Sequence, residues 1–135
     1  MTLSTTSHSS AIDKKLPLCG NSPNCVSSQA QVQDKEHYLA PFKFKTSPEQ
    51  AWQALRQAIE DTPRIVITHE TDTSLHAEAT SFLMRFVDDI NIILDEQAGV
   101  IHIRSASRTG HSDFGVNRKR IETLREQLQQ AHVLE

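Results

Sequence analysis

Long apolar runs are missing from this chain, and that sets the first bound. No stretch in its 135 residues approaches the roughly 18 apolar positions of a membrane-spanning helix. The N-terminus, Met1 to Lys15, is rich in Ser and Thr and has no apolar core of the kind a secretory signal carries. As written, the chain reads as cytoplasmic; if a leader has been removed, it reads as periplasmic or lumenal. Its four glycines form neither a phosphate-cradling Walker loop nor a dinucleotide fingerprint. The seven histidines show no H-x-x-x-H or other ligand pair, so no zinc site and no cofactor are expected. Excess positive charge is lacking too: the formal net charge is −3, so the overall field does not recruit nucleic acid.

Cysteine is scarce, with Cys19 and Cys25 alone. Their spacing is not that of a zinc knuckle, and no second pair completes a tetrahedral site. Asn21-Ser22-Pro23-Asn24 between them is a ready turn. The pair reads as a structural bridge worth roughly 2–2.5 kcal/mol on the chain-entropy model. In a reducing compartment it would rest as thiols or act as a labile redox couple.

What the sequence does contain is alternation. Residues 1–16 read as a disordered tail and 17–135 as one domain. Leu18 to Gln33 is turn-rich, and Tyr38 to Lys45 reads as a strand that Pro41 confines to an edge or a late start. Ser47-Pro48-Glu49-Gln50 is a helix start, with Ser47 as cap, Pro48 at the first helical position and Gln50 closing a capping box. Ala51, Trp52, Leu55, Ala58 and Ile59 then recur at helical spacing. Strands follow at Arg64 to Glu70 and through Leu75, Ala77 and Ala79. Phe82 to Asp88 and Asp89 to Asp95 read as two more, or as one strand bent at Asp88-Asp89, where the alternation changes phase. A hairpin loop at Asp95 to Gly99 leads into Val100 to Ser107. A last helix carries Val116, Ile121, Leu124, Leu128 and Ala131. The order β-α-β-β-β-β-α with short turns predicts an α+β fold: a curved antiparallel sheet of about five strands packed against two helices. Trp52, the single tryptophan, belongs to the core.

Chemistry concentrates between the last strand and the last helix. Arg104, Arg108, Arg118, Lys119 and Arg120 crowd this junction with Ser105, Ser107, Thr109 and Ser112. Guanidinium groups, hydroxyls and free backbone donors in one small volume can hold an anion. Arg104, Ser105, Ser107, Arg108, Asp113, Asn117 and Arg118 are therefore the candidate ligand-binding set. Gly110 and Gly115 allow close backbone approach, and Asp113 is positioned to cap the helix. The competing reading is a hydrogen-bonded corner that fixes the strand against the helix. Asp88 and Asp89 are assigned structural roles, one facing solvent and the other paired with Arg104 or Arg108. The leading function is a non-catalytic binding or accessory module, taking a small anionic or amphipathic ligand or a protein partner at this corner. The alternative is a hydrolase-like enzyme using Ser107 or Ser112 with His111 and Asp113, although no G-x-S-x-G elbow is present.

Leu18-Cys-Gly-Asn-Ser-Pro-Asn-Cys-Val-Ser-Ser28, Arg85-Phe-Val-Asp-Asp89 and the Arg104–Ile121 run together resemble a bacterial and plastid family known only as domain of unknown function 1499. The resemblance spans Leu18 to Leu128. It implies no activity, and it implies an N-terminal export or membrane segment in many members. The Ser47–Trp52 start also resembles the helix that follows the first strand in helix-grip lipid-binding domains, a likeness of fold alone.

Overall fold

The computed structural model describes residues 15–109 and 115–135. Its strands are β1 (Cys25–Ser27), β2 (Phe42–Lys43), β3 (Ile65–Glu70), β4 (Ser74–Thr80), β5 (Val87–Asp95) and β6 (Val100–Ser107). Helix α1 (Pro48–Glu60) lies between β2 and β3, and α2 (Val116–Gln130) follows β6. The strands form one antiparallel sheet in the order β1-β6-β5-β4-β3, with β2 also pairing β6. This is the α+β fold expected, with both helices on one face. Among the described residues, no helix is long and apolar enough to cross a membrane.

Period-two alternation decides what each face carries. Leu75, Ala77 and Ala79 of β4, Ile90, Ile92 and Leu94 of β5, and Ile101 and Ile103 of β6 point toward the helices and are buried. Ala51, Trp52, Leu55 and Ile59 of α1 and Ile121, Leu124 and Leu128 of α2 complete that core. Helix α1 begins where the sequence places it: Gln50 N–H donates to Ser47 Oγ at 3.1 Å, and the Gln50 side chain accepts from Ser47 N–H. Gly99 takes a left-handed φ of 71° in the β5–β6 hairpin, a conformation that favours glycine.

Four local expectations are corrected. β1 lies in the stretch read as irregular, because its three residues are held by pairing with Arg104, Ser105 and Ala106 rather than by local pattern. Phe82 to Phe86 is a turn, and the strand begins at Val87. The chain bends there at Arg85, with φ 60°, not at Asp88-Asp89, whose register with Ser107 and Ala106 is regular. In α2, Val116 is exposed and Asn117 takes the buried position of the first turn.

The N-terminal segment covers part of the opposite face. Leu16, assigned to the tail, is buried, and its N–H donates to Gln29 Oε1 at 2.7 Å; residues 1–14 lie outside those described. Cys19 and Cys25 are bridged with Cα atoms 5.5 Å apart, within the span a disulfide requires. Buried His37 braces this loop from inside, Nδ1 on Asp34 Oδ2 and Nε2 on the Ser22 carbonyl, both at 2.7 Å. Both ring nitrogens face acceptors, so the imidazolium is favoured, and the Asp34 hydrogen bond is the main cause that raises the His37 pKa.

Two outcomes follow from this packing. Trp52→Ala should lower unfolding free energy by about 3–5 kcal/mol, read by urea denaturation; a loss under about 1 kcal/mol would contradict its core role. A raised histidine pKa contributes stability below the ordinary value of about 6.5 and loses it as pH climbs through the raised one. The stability gap between the wild type and His37→Gln should therefore be widest near pH 6 and shrink toward pH 9. A gap that does not vary with pH would refute the charged brace.

Candidate functional site

The sheet divides the polar junction. Along β6, Ser105 points to the helices while Arg104 points away, and the neighbours Asp88 and Asp89 split in the same manner across β5. The predicted residues therefore lie in two separate clusters on opposite faces.

On the helix side, the amide of Asn117 is fully buried. Its Nδ2 donates to the Asn24 carbonyl and to Ser107 Oγ, each at 3.1 Å. Its Oδ1 accepts from the Ser105 hydroxyl and, at 2.8 Å, from Arg120 Nη1. Arg120 Nη1 also reaches Asp88 Oδ2 at 3.0 Å, and both partners are largely shielded from water. Ser105, Ser107 and Asn117 are thus brought together, but their hydrogen bonds run to one another, to Arg120 and to neighbouring backbone. Ser107 has no hydrogen bond to a histidine among the described residues. The serine that does meet one is Ser28, 2.9 Å from His102 Nδ1. That hydroxyl is buried and also accepts from Ile103 N–H, so it pins the chain beyond β1 to β6.

On the other face, Arg108 bridges Asp89 through Nε and Nη2, both at 2.9 Å, and reaches Glu78 at 2.8 Å. His76 Nε2 lies 3.0 Å from Asp89 Oδ1. The Arg108 hydrogen bonds, helped by His76, hold the Asp89 carboxyl below the usual carboxylate range against a smaller opposing effect of burial. One donor atom each from His76, Glu78 and Asp89 fall within 4.8 Å of one another, a set suited to a cation, but the Arg108 guanidinium already supplies positive charge there. Sequence spacing misses this set because Asp89 joins it only through its register opposite Glu78. Arg104 is half-buried, and burial lowers its pKa. It donates to Asn91 Oδ1 at 3.3 Å and to the Leu18 carbonyl at 3.4 Å, and its Nε has no partner. Arg118 donates to the Lys35 and Glu36 carbonyls at 3.3 and 3.1 Å. His111, Ser112 and Asp113 lie outside the described residues; the residue at the α2 N-cap is Gly115, with φ 81°.

The concave space lies elsewhere. A cavity of about 420 Å³ opens between the C-terminal end of α1, α2 and the sheet. Its walls are Ile59, Ile65, Ala79, Ile90, Ile103 and Leu124, with Phe82 and Val116 at the mouth. The charged groups lining it, among the described residues, are Arg64 and Arg120. From β4 the wall receives only the small Ala79 and Thr80, while Asn117 and Arg120 hold the start of α2 in place. Arg120 lay in the cationic run read from sequence but was not assigned a role. Its position three residues after Asn117 on a helix was the available signal.

A family model described as protein of unknown function (DUF1499) matches residues 15–128. No curated protein and no solved structure matches the chain.

The two clusters differ in burial and so in cost. Asn117→Ala should lower stability by about 1–3 kcal/mol, because it strips partners from buried Ser105 and the Asn24 carbonyl. Arg108→Ala, on a half-exposed network, should cost clearly less than Asn117→Ala. Urea denaturation of both variants checks the order; Arg108 proving the costlier would overturn this assignment of the structural joint.

Proposed function

We propose that this chain, which belongs to the DUF1499 family, is a non-catalytic module that binds a small amphipathic anion. The apolar part of the ligand occupies the cavity between α1, α2 and the sheet, and its charged end lies toward Arg64. The observation that carries this reading is the pairing of an apolar wall with charged groups that, among the described residues, are all cationic, in one concave space. Its volume of about 420 Å³ falls in the roughly 300–1,000 Å³ range of small-molecule sites. Arg120 is engaged by Asp88, whereas Arg64 has no carboxylate in ion-pair range among the described residues. The Arg104–Arg118 corner supports the reading less well: Arg108 is neutralised by Asp89 and Glu78, and Arg118 is spent on backbone carbonyls. The Cys19–Cys25 bridge supports a periplasmic or lumenal setting, since cytosolic thiols are kept reduced.

The test uses 1-anilinonaphthalene-8-sulfonate, an amphipathic anion that brightens in apolar surroundings. Thr123 is exposed and lines the cavity mouth, so Thr123→Trp should fill the entrance without disturbing the core. The wild type should bind the probe saturably, one to one, and Thr123→Trp should weaken binding at least about tenfold with its melting temperature unchanged. Absent saturation, or equal affinity in both proteins, would contradict the cavity as the site.

A further inference from the structure

The turn between β4 and β5 is built to project apolar side chains into solvent. Ser81 N–H donates to the Phe86 carbonyl and Phe86 N–H to Ser81 Oγ, both at 2.9 Å, which closes residues 81–86 into a compact tip. On it Phe82, Leu83 and Met84 are 69%, 81% and 66% exposed. Three adjacent large apolar residues at that exposure are unusual on a soluble surface.

Two arginines flank the tip in a costly conformation. Arg64 has φ 64° and Arg85 φ 60°, in the left-handed region that non-glycine residues occupy only with strain. Glycine would relax both positions, yet each carries a cation. The Arg64 guanidinium sits 5.7 Å from the centroid of the Phe82 ring, and Arg85 is part of the tip itself. Neither has a carboxylate in ion-pair range among the described residues. Backbone strain held in place beside cations that no carboxylate neutralises points to use of those side chains.

We propose that residues 81–86 dock this protein reversibly on the surface of an anionic bilayer. Phe82, Leu83 and Met84 enter the boundary between headgroups and acyl chains, while Arg64 and Arg85 meet lipid phosphates. A bilayer suits this tip better than a protein partner. A stable protein interface covers roughly 800 Å² on each partner, more than three side chains on a narrow turn present. A few inserted apolar groups with flanking cations suffice for a reversible membrane contact. The inference does not depend on the cavity being a ligand site.

The experiment is co-sedimentation of the full chain with vesicles of phosphatidylcholine, with and without phosphatidylglycerol. The protein should sediment with the anionic vesicles and much less with the neutral ones, and added salt should reduce binding. Leu83→Asp, at an exposed position, should abolish sedimentation. Arg85→Gly should weaken it several-fold while the melting temperature stays the same or rises, because glycine relieves the left-handed backbone. No binding to anionic vesicles, or undiminished binding by Leu83→Asp, would overturn the proposal. So would a dimer that Leu83→Asp dissolves, since the tip would then serve a second copy of the chain. Neither Leu83 nor Arg85 lines the cavity, so both variants should bind the anilinonaphthalene probe as the wild type does. That separates failure of the docking proposal from failure of the cavity reading.

Discussion

The buried amide of Asn117 joins parts of the chain that nothing local would bring together. It gives hydrogen bonds to the Asn24 carbonyl beside β1 and to Ser107 on β6, and it accepts from Ser105 and Arg120. An amide taken out of water without partners is costly, and here all four bonds are made. Through Arg120 the same joint extends to Asp88 on β5. A buried ion pair adds little net stability over an apolar packing, but removing one member leaves a stranded charge. Its effect is geometric: the first turn of α2 has one place to sit. The far end of α2 is fixed separately, where Val133 N–H returns to the Leu128 carbonyl and Lys45 N–H bonds the Val133 carbonyl.

Between these fixed ends, α2 packs Ile121, Leu124 and Leu128 into the core. The cavity opens beside it, where β4 contributes only the small side chains of Ala79 and Thr80 to the wall. The polar joint and the apolar cavity meet at Arg120, which bonds Asn117 and also lines the space. The tip at 81–86 adjoins the cavity mouth through Phe82, which lines the space while remaining mostly exposed. A path from an apolar surface outside to the cavity within is therefore continuous.

Much of this was legible in the sequence, and the gaps have physical causes. The capping box at Ser47 and Gln50, the alternation of β4 to β6 and the turn between the cysteines depend on neighbours a few positions away, and each formed as local chemistry requires. β1 was not legible, because three residues cannot declare a strand without the partner Arg104–Ala106. Phe82, Met84 and Phe86 alternate as a strand does, but alternation is blind to whether one face is covered, and here none of the three is buried. The crowd of arginines marked a real junction without showing that the sheet passes through it. Placing Arg104 and Arg108 on one face and Arg120 on the other requires knowing which side of β6 meets the helices.

If the cavity holds an amphipathic anion as proposed, native mass spectrometry of gently purified protein will reveal it. The wild type should appear at the polypeptide mass plus one small molecule, released on denaturation. Thr123→Trp should appear at the polypeptide mass alone. A wild type that arrives bare, and that remains bare after incubation with a fatty acid or a lysophospholipid, would rule out the cavity as a binding site.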